Sequence, residues 1–113
     1  MHADSRKLLW DALNAAERVR RFTSGKSFED YQTDELLSSA VERQLGIAGE
    51  ALSQLRRIDA VTAGKVTGLA RVVGFRNVLV HGYATVDSRL VWGVVEANLA
   101  ELVEVLASLL REQ

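Results

Sequence analysis

Apolar residues along this chain recur three and four positions apart instead of alternating, the spacing of one face of an α-helix and not of a strand. Leu8, Leu9, Ala12, Leu13, Ala16, Val19 and Phe22 make the first stripe. Asp4 or Ser5 stands where a side chain can cap its start and Gly25 where the helix can stop, which predicts a helix over about residues 5–22. The polar link 23–27 follows. Ser27, Phe28, Glu29 and Asp30 carry a capping pattern that allows an extra short helix near residues 28–32, bearing Phe28 and Tyr31. A longer stripe through Leu37, Ala40, Val41, Leu45, Ala48, Leu52 and Leu55 predicts a second helix over about 34–56, capped by Thr33 or Asp34. Gly46 and Gly49 lie on it, each costing about 1 kcal/mol relative to alanine, so a close neighbour, either another helix or a second subunit, is expected to need the missing side chains.

Residues 57–64 read as a connection. The third helix, over about 65–81, carries Val66, Leu69, Ala70, Val73, Phe75, Val78, Leu79 and Val80 around so much of its circumference that it is expected to be the most buried element. Gly82 stands where it would end. A fourth helix over about 88–111 follows a cap at Asp87 or Ser88, with Val91, Trp92, Val95, Leu99, Leu102, Val103, Leu106 and Leu109 as its stripe. The prediction is an all-α chain: an antiparallel four-helix bundle forming a single domain over residues 1–113.

Composition narrows the chemistry. The 113 residues include no cysteine, which removes disulfides, thiolate metal sites and cysteine nucleophiles. The N-terminus lacks the apolar core and small-residue cleavage site of a signal peptide, and there is no run of about eighteen apolar residues, so a cytoplasmic protein with no membrane partner is expected. Only two histidines are present, and no acidic residue stands three or four positions from His81 to complete a helical metal pair; no metal and no cofactor are expected. No phosphate-binding glycine loop, nucleophile elbow or dinucleotide fingerprint occurs. The formal net charge of -1 means that a nucleic-acid partner would have to be held by a local patch. Arg56, Arg57, Lys65, Arg71 and Arg76 stand against Asp59 alone between residues 56 and 81, and a two-fold dimer would double that patch; taken without the motif described below, it reads as a solvated basic face. Arg18, Arg20 and Arg21 read as a solvated helix end.

The stretch Gly74-Phe75-Arg76-Asn77-Val78-Leu79-Val80-His81-Gly82-Tyr83 sets polar groups in an apolar segment. Arg76 and His81 are five residues apart, about 140° around a helix and about 7.5 Å along it, so they do not share a face. Two copies of this helix meeting at a dimer interface would let each arginine approach the other chain's histidine. His81 falls in a last turn, where unpaired carbonyls favour an imidazolium and draw its titration toward cellular pH. There it can give and take protons. Arg76 offers a two-pronged fork to phosphate. Together they suffice for breaking a phosphodiester without metal, since RNA supplies its own 2′-hydroxyl nucleophile. The plain alternative is an ion-paired arginine and a capping histidine. Glu42 and Glu50, eight apart and nearly on one face, read as solvated or ion-paired, with Glu50 in the tighter surroundings beside Gly49.

The residues Arg76 to Tyr83 match an R-x-x-x-x-H-x-Y motif and resemble the HEPN superfamily, specifically the HepT-like toxins encoded beside a minimal nucleotidyltransferase (MNT) antitoxin. The Gly74-Phe75-Arg76-Asn77 lead-in, Gly49-Glu50-Ala51 and Val91-Trp92 extend the likeness over essentially the whole chain. The resemblance implies a metal-independent endoribonuclease toxin acting as a homodimer. Arg76 would stabilise the scissile phosphate, His81 would be general acid or base, and Asn77 would orient the site. Tyr83 would be the residue to which the MNT partner attaches AMP, placing bulk and charge where substrate phosphate should sit; it also reads as a tyrosine packed on the core. Arg56, Arg57, Lys65 and Arg71 would be RNA contacts. A non-catalytic subunit that binds nucleotide or substrate for a nucleotidyltransferase, with Arg76 as phosphate anchor, is the competing expectation.

Overall fold

Seven helices carry the residues that the computed structural model describes, 1–81 and 87–112, with backbone only for Val80 and His81. They are α1 (Ser5–Thr23), α2 (Phe28–Thr33), α3 (Glu35–Ile58), α4 (Ala60–Ala63), α5 (Leu69–His81), α6 (Ser88–Ala97) and α7 (Leu99–Arg111). The all-α expectation holds, with the four predicted long segments and the short helix at its predicted place.

The pairings are antiparallel. Ser5 at the start of α1 hydrogen-bonds Asp59 just past the end of α3. Gly49 of α3 lies against Val72 and Arg76 of α5, and Gly46, one turn earlier in α3, meets Leu79, later in α5. Arg6 of α1 donates to the Leu110 carbonyl near the end of α7 at 3.0 Å. The order across the bundle is thus α5, α3, α1, α7, with α6 reaching α1, α2 and α5. The apolar stripes fill its centre: Leu9, Ala12, Ala16 and Val19 of α1, Val41, Leu45, Leu52 and Leu55 of α3, and Leu102 and Leu106 of α7 are all essentially inaccessible.

Caps explain most of the boundaries. Ser27 Oγ accepts from the Asp30 N–H at 3.1 Å while Asp30 accepts from the Ser27 N–H at 2.9 Å, the reciprocal box that starts α2. Asp34 accepts from the Leu37 N–H at 3.1 Å and starts α3. Asp87 accepts from the Arg89 N–H at 2.9 Å and starts α6. Gly25 takes a left-handed φ of 73° just past α1, where a side chain would be strained.

Four expectations are corrected. Neither Asp4 nor Ser5 caps α1 by its side chain; the Ser5 hydroxyl is buried and donates to Asp59 at 2.7 Å instead. Residues 57–64 are not simply a connection: α3 runs to Ile58, and Asp59, bonded to the Thr62 N–H and hydroxyl, starts the short α4. The third long helix begins at Leu69 and not near 65, because Gly68 adopts φ 82°, a conformation that breaks a right-handed helix. The fourth is divided at Asn98, whose φ of -120° interrupts α6 and α7 while its N–H still bonds the Val94 carbonyl.

Nor is α5 the most buried element. Leu69, Val72, Val73 and Phe75 are buried, but Ala70, Arg71, Gly74, Asn77 and Val78 are exposed on one side, because α5 packs chiefly on α3. The expected stop at Gly82 lies outside the described residues. No helix among the described residues is long and apolar enough to cross a membrane.

Asp59 ties the N-terminus to the end of α3, accepting also from the His2 N–H at 3.1 Å. The hydrogen bonds from Thr62 and Ser5 hold its carboxyl well below the usual value of 3.8. A carboxyl depressed in the folded state contributes stability above its unfolded pKa and loses that contribution as pH falls. Asp59→Ala should therefore lower the melting temperature at pH 7, and the gap from wild type should narrow once the pH drops below about 4. A gap that stays constant in thermal melts from pH 7 to pH 3 would show that the carboxylate does not act in this way.

Candidate functional site

The approach of α5 to α3 sets the site. A Cβ on Gly49 would collide with the Arg76 Cβ and would lie 2.9 Å from the Val72 carbonyl oxygen, so only glycine lets the two backbones come this close. This places the Arg76 guanidinium over the next α3 residue, Glu50. Arg76 Nη2 pairs with Glu50 Oε2 at 2.5 Å and Nη1 donates to Asn77 Oδ1 at 3.0 Å. Two of the five N–H groups of the guanidinium are engaged in this way. The others have no partner among the described residues, and a quarter of the side chain is accessible.

Glu50 is itself positioned, receiving the Gln54 amide at 3.1 Å. That hydrogen bond first, helped by the positive charges of Arg76 and Arg57, holds its carboxyl below its ordinary value against the opposing effect of burial. Glu50 is ionised at neutral pH, so the contact with Arg76 is a true ion pair.

Arg76 lines an open groove of about 890 Å³. One wall is a face of α1 that includes Lys7, Asp11, Asn14 and Arg18; the other is a face of α3 that includes Glu42, Arg43, Glu50 and Gln54. Arg76 and Leu79 enter from α5. Tyr31, buried against Trp92 with ring centroids 5.5 Å apart, donates its hydroxyl to Glu42 at 3.2 Å. Burial first, and then the Glu42 charge, push the Tyr31 hydroxyl well above its ordinary pKa. Among the described residues no group of three or more His, Asp and Glu side chains is placed to hold a metal ion.

Comparison with known proteins gives this geometry a context. The family model for HepT-like ribonucleases matches residues 12–109, which include both walls of the groove beyond Asp11 and all of α5. The chain belongs to the HepT-like ribonuclease family. It is 32% identical over 97 residues to "Putative RNase TTE0752" of Caldanaerobacter subterraneus subsp. tengcongensis, covering 86% of this chain and 82% of that one. It is 29% identical over 102 residues to "Probable ribonuclease HepT" of Thermococcus cleftensis, covering 90% and 92%. "Putative RNase MJ1380" of Methanocaldococcus jannaschii is 28% identical over 99 residues, covering 88% and 90%. No solved structure matches significantly.

In this HepT-like chain the motif residues divide. Arg76 and Asn77 are joined by a hydrogen bond. His81 is the last residue of α5, its side chain outside the described residues, and Tyr83 lies outside them altogether. The basic residues of the sequence pattern are not gathered around Arg76. Arg56 and Arg57 are exposed at the end of α3, Lys65 on the turn before α5 and Arg71 on α5, and none lines the groove. Arg57 alone acts on the site, through its charge on Glu50. Lys7, Arg18 and Arg43 line it instead. Sequence reading set Arg18 with a solvated helix end and passed over Lys7 and Arg43, since the pairing that makes them neighbours joins residues far apart in the chain. A signal was present: Lys7, Asn14 and Arg18 recur at helical spacing on one side of α1, as Glu42, Glu50 and Gln54 do on α3.

Proposed function

We propose that this chain is the ribonuclease toxin of a toxin–antitoxin pair: a cytoplasmic homodimer that cuts RNA internally without metal and is silenced when a nucleotidyltransferase partner attaches AMP to Tyr83. The observation that carries the reading is Arg76, a fixed cation whose guanidinium is oriented by Glu50 and Asn77 at an open groove and still has N–H groups to offer an anion.

The chemistry then needs no further cation. The 2′-hydroxyl loses its proton to a His81 imidazole and its oxygen attacks the adjacent phosphorus. The bond to the 5′-oxygen breaks, that oxygen takes a proton from an imidazolium, and a 2′,3′-cyclic phosphate and a 5′-hydroxyl remain. Arg76 offsets the charge that gathers on the phosphoryl oxygens. Asn77 holds Arg76 in position.

The partition of the motif around α5 favours a site shared by two subunits. Ala70, Arg71, Gly74, Asn77 and Val78 form one exposed face, Val78 is 48% accessible, and a Cβ on Gly74 would meet nothing within 4 Å among the described residues. The open space around Gly74 on this face suits the approach of a second α5.

The experiment is a complementation. Wild-type protein should arrest growth when induced, cleave RNA in excess EDTA and scatter light as a dimer, while Arg76→Ala and His81→Ala should each be inactive alone. Co-assembling the two variants in equal amounts should recover about a quarter of wild-type activity, because half the dimers then hold one intact composite site. A mixture as dead as its parents, or a strict monomer in solution, would remove the shared site. Wild type that binds nucleotide but cleaves no RNA would pass the reading to the non-catalytic subunit. Incubation with the partner nucleotidyltransferase and ATP should add AMP at Tyr83; addition elsewhere would end that role. Buried Tyr31 should stay unmodified.

A further inference from the structure

We propose that single-stranded RNA lies lengthwise in the trough between α1 and α3, its backbone held chiefly by Arg18 and Arg43 at one end, and that at the other end it crosses α1 beside Lys7 to stack a base on Trp10. The proposal rests on the ribonuclease reading and adds the path of the strand and the residues that hold it.

The antiparallel pairing of α1 and α3 lays the charges out in order. Arg18 of α1 lies toward the same end as Glu42 and Arg43 of α3, Glu50 with Arg76 lies toward the middle, and Lys7 and Gln54 lie toward the other end. From Lys7 to Arg18 is eleven residues of helix, about 16 Å, the length of a few nucleotides. Of the three carboxylates along this line, two are paired with cations. Asp11 pairs with Lys7 at 2.8 Å, Glu50 pairs with Arg76, and Glu42 accepts the Tyr31 hydroxyl. Arg18 and Arg43 are exposed and make no ion pair among the described residues, so their charge is available to an incoming backbone.

Lys7 lines a second depression as well, of about 590 Å³, with Ala3, Arg6, Trp10 and Leu110 around it. The two hollows therefore flank Lys7. Trp10 is 55% accessible, an unusual exposure for the largest apolar side chain, and it stands beside two cations. A basic track that leads to an open aromatic face is the arrangement by which proteins hold unpaired nucleic acid, phosphates on the cations and a base on the ring.

Trp10 also reports the event, since the other tryptophan, Trp92, is buried. The His81→Ala protein, slowed enough in cleavage for equilibrium binding, is titrated with oligouridylate, with oligoadenylate and with a blunt RNA duplex. Both single strands should quench tryptophan emission to saturation and the duplex should not, while Trp10→Phe in the same background should abolish the quench. Adding Arg18→Ala with Arg43→Ala should raise Kd, read by anisotropy of a labelled strand, by about tenfold or more and should flatten the slope of log Kd against log salt by about 1.4, two phosphate contacts' worth. Arg20→Ala with Arg21→Ala removes the same charge from exposed positions outside the trough and should leave Kd near that of its parent. Unchanged Kd and salt slope in the Arg18/Arg43 variant, or quenching by duplex equal to that by single strands, overturns the proposal. If the single strand binds as described but wild type cleaves nothing, only the ribonuclease reading fails. If wild type cleaves and the Arg18/Arg43 variant cleaves with the same KM, only the strand path fails.

Discussion

Replacing Arg76 by alanine should cut the single-turnover rate of RNA cleavage by about 10²–10³-fold, the usual cost of removing one preorganised donor from a developing negative charge. His81→Ala should cost about 10²–10⁴-fold, the worth of a positioned proton carrier. The arginine should not be replaceable by lysine. Arg76 reaches Glu50 with one nitrogen and Asn77 with another, a planar arrangement that leaves the remaining N–H groups aimed as a set. A lysine ammonium supplies a point charge without that fork, so Arg76→Lys should recover only a small part of the rate. The fold should survive these changes. The Arg76–Glu50 pair is 25% and 40% accessible on its two sides, and a pair so open to water is worth at most about 1 kcal/mol. Rate and melting temperature therefore separate the readings. An Arg76→Ala protein that melts like wild type and cuts within about threefold of it would show that the guanidinium does not act on the reacting phosphate. One that melts far lower would show that the residue is structural.

The opposite signature is expected directly across from Arg76, on α3. Gly49→Ala puts a Cβ against the Arg76 Cβ and the Val72 carbonyl, and because a backbone atom is involved, rotation of side chains cannot relieve it. Overpacking of this kind costs up to about 3 kcal/mol, while alanine returns about 1 kcal/mol of helix propensity. The net loss is about 2 kcal/mol, a fall in melting temperature of roughly 8 °C for a chain of this size. Cleavage should fall with it, because α5 must move off α3 and carries Arg76 away from Glu50. Gly46→Ala is the matched control. Its Cβ would meet Leu79 Cδ1 at 3.6 Å, an ordinary contact, so the propensity gain stands and the protein should become more stable by as much as about 1 kcal/mol. Calorimetry on the two variants decides the matter: equal shifts of the same sign would mean that the α3–α5 approach is not the constraint described.

The two glycines also mark how far a linear reading can go. Spacing in the chain was enough for the helical class, the long segments, the short α2 and several caps, because each depends on residues within one or two turns: the Ser27–Asp30 box and the Asp34 and Asp87 caps are local hydrogen bonds. It was enough also to single out Arg76, while Asn77, bonded to it as its neighbour, was named through the family resemblance. Spacing alone could not show that Gly49 is tight and Gly46 slack, since that depends on which α5 atoms stand opposite. Nor could it show that Asp59, in a stretch that reads as a plain connection, holds Ser5 across 54 positions, or that Gly68 delays α5 by adopting a left-handed φ. The charged groove is the clearest case. Helical period places Lys7 and Arg18 on one side of α1 and Glu42 and Glu50 on one side of α3, but only the antiparallel packing turns the two sides toward one hollow with Arg76 in it. Local hydrogen bonding and period are properties of a segment, whereas the facing of two surfaces is a property of how segments are packed, and it was there that Arg56, Arg57, Lys65 and Arg71 gave way to Lys7, Arg18 and Arg43 as the cations that share the groove with Arg76.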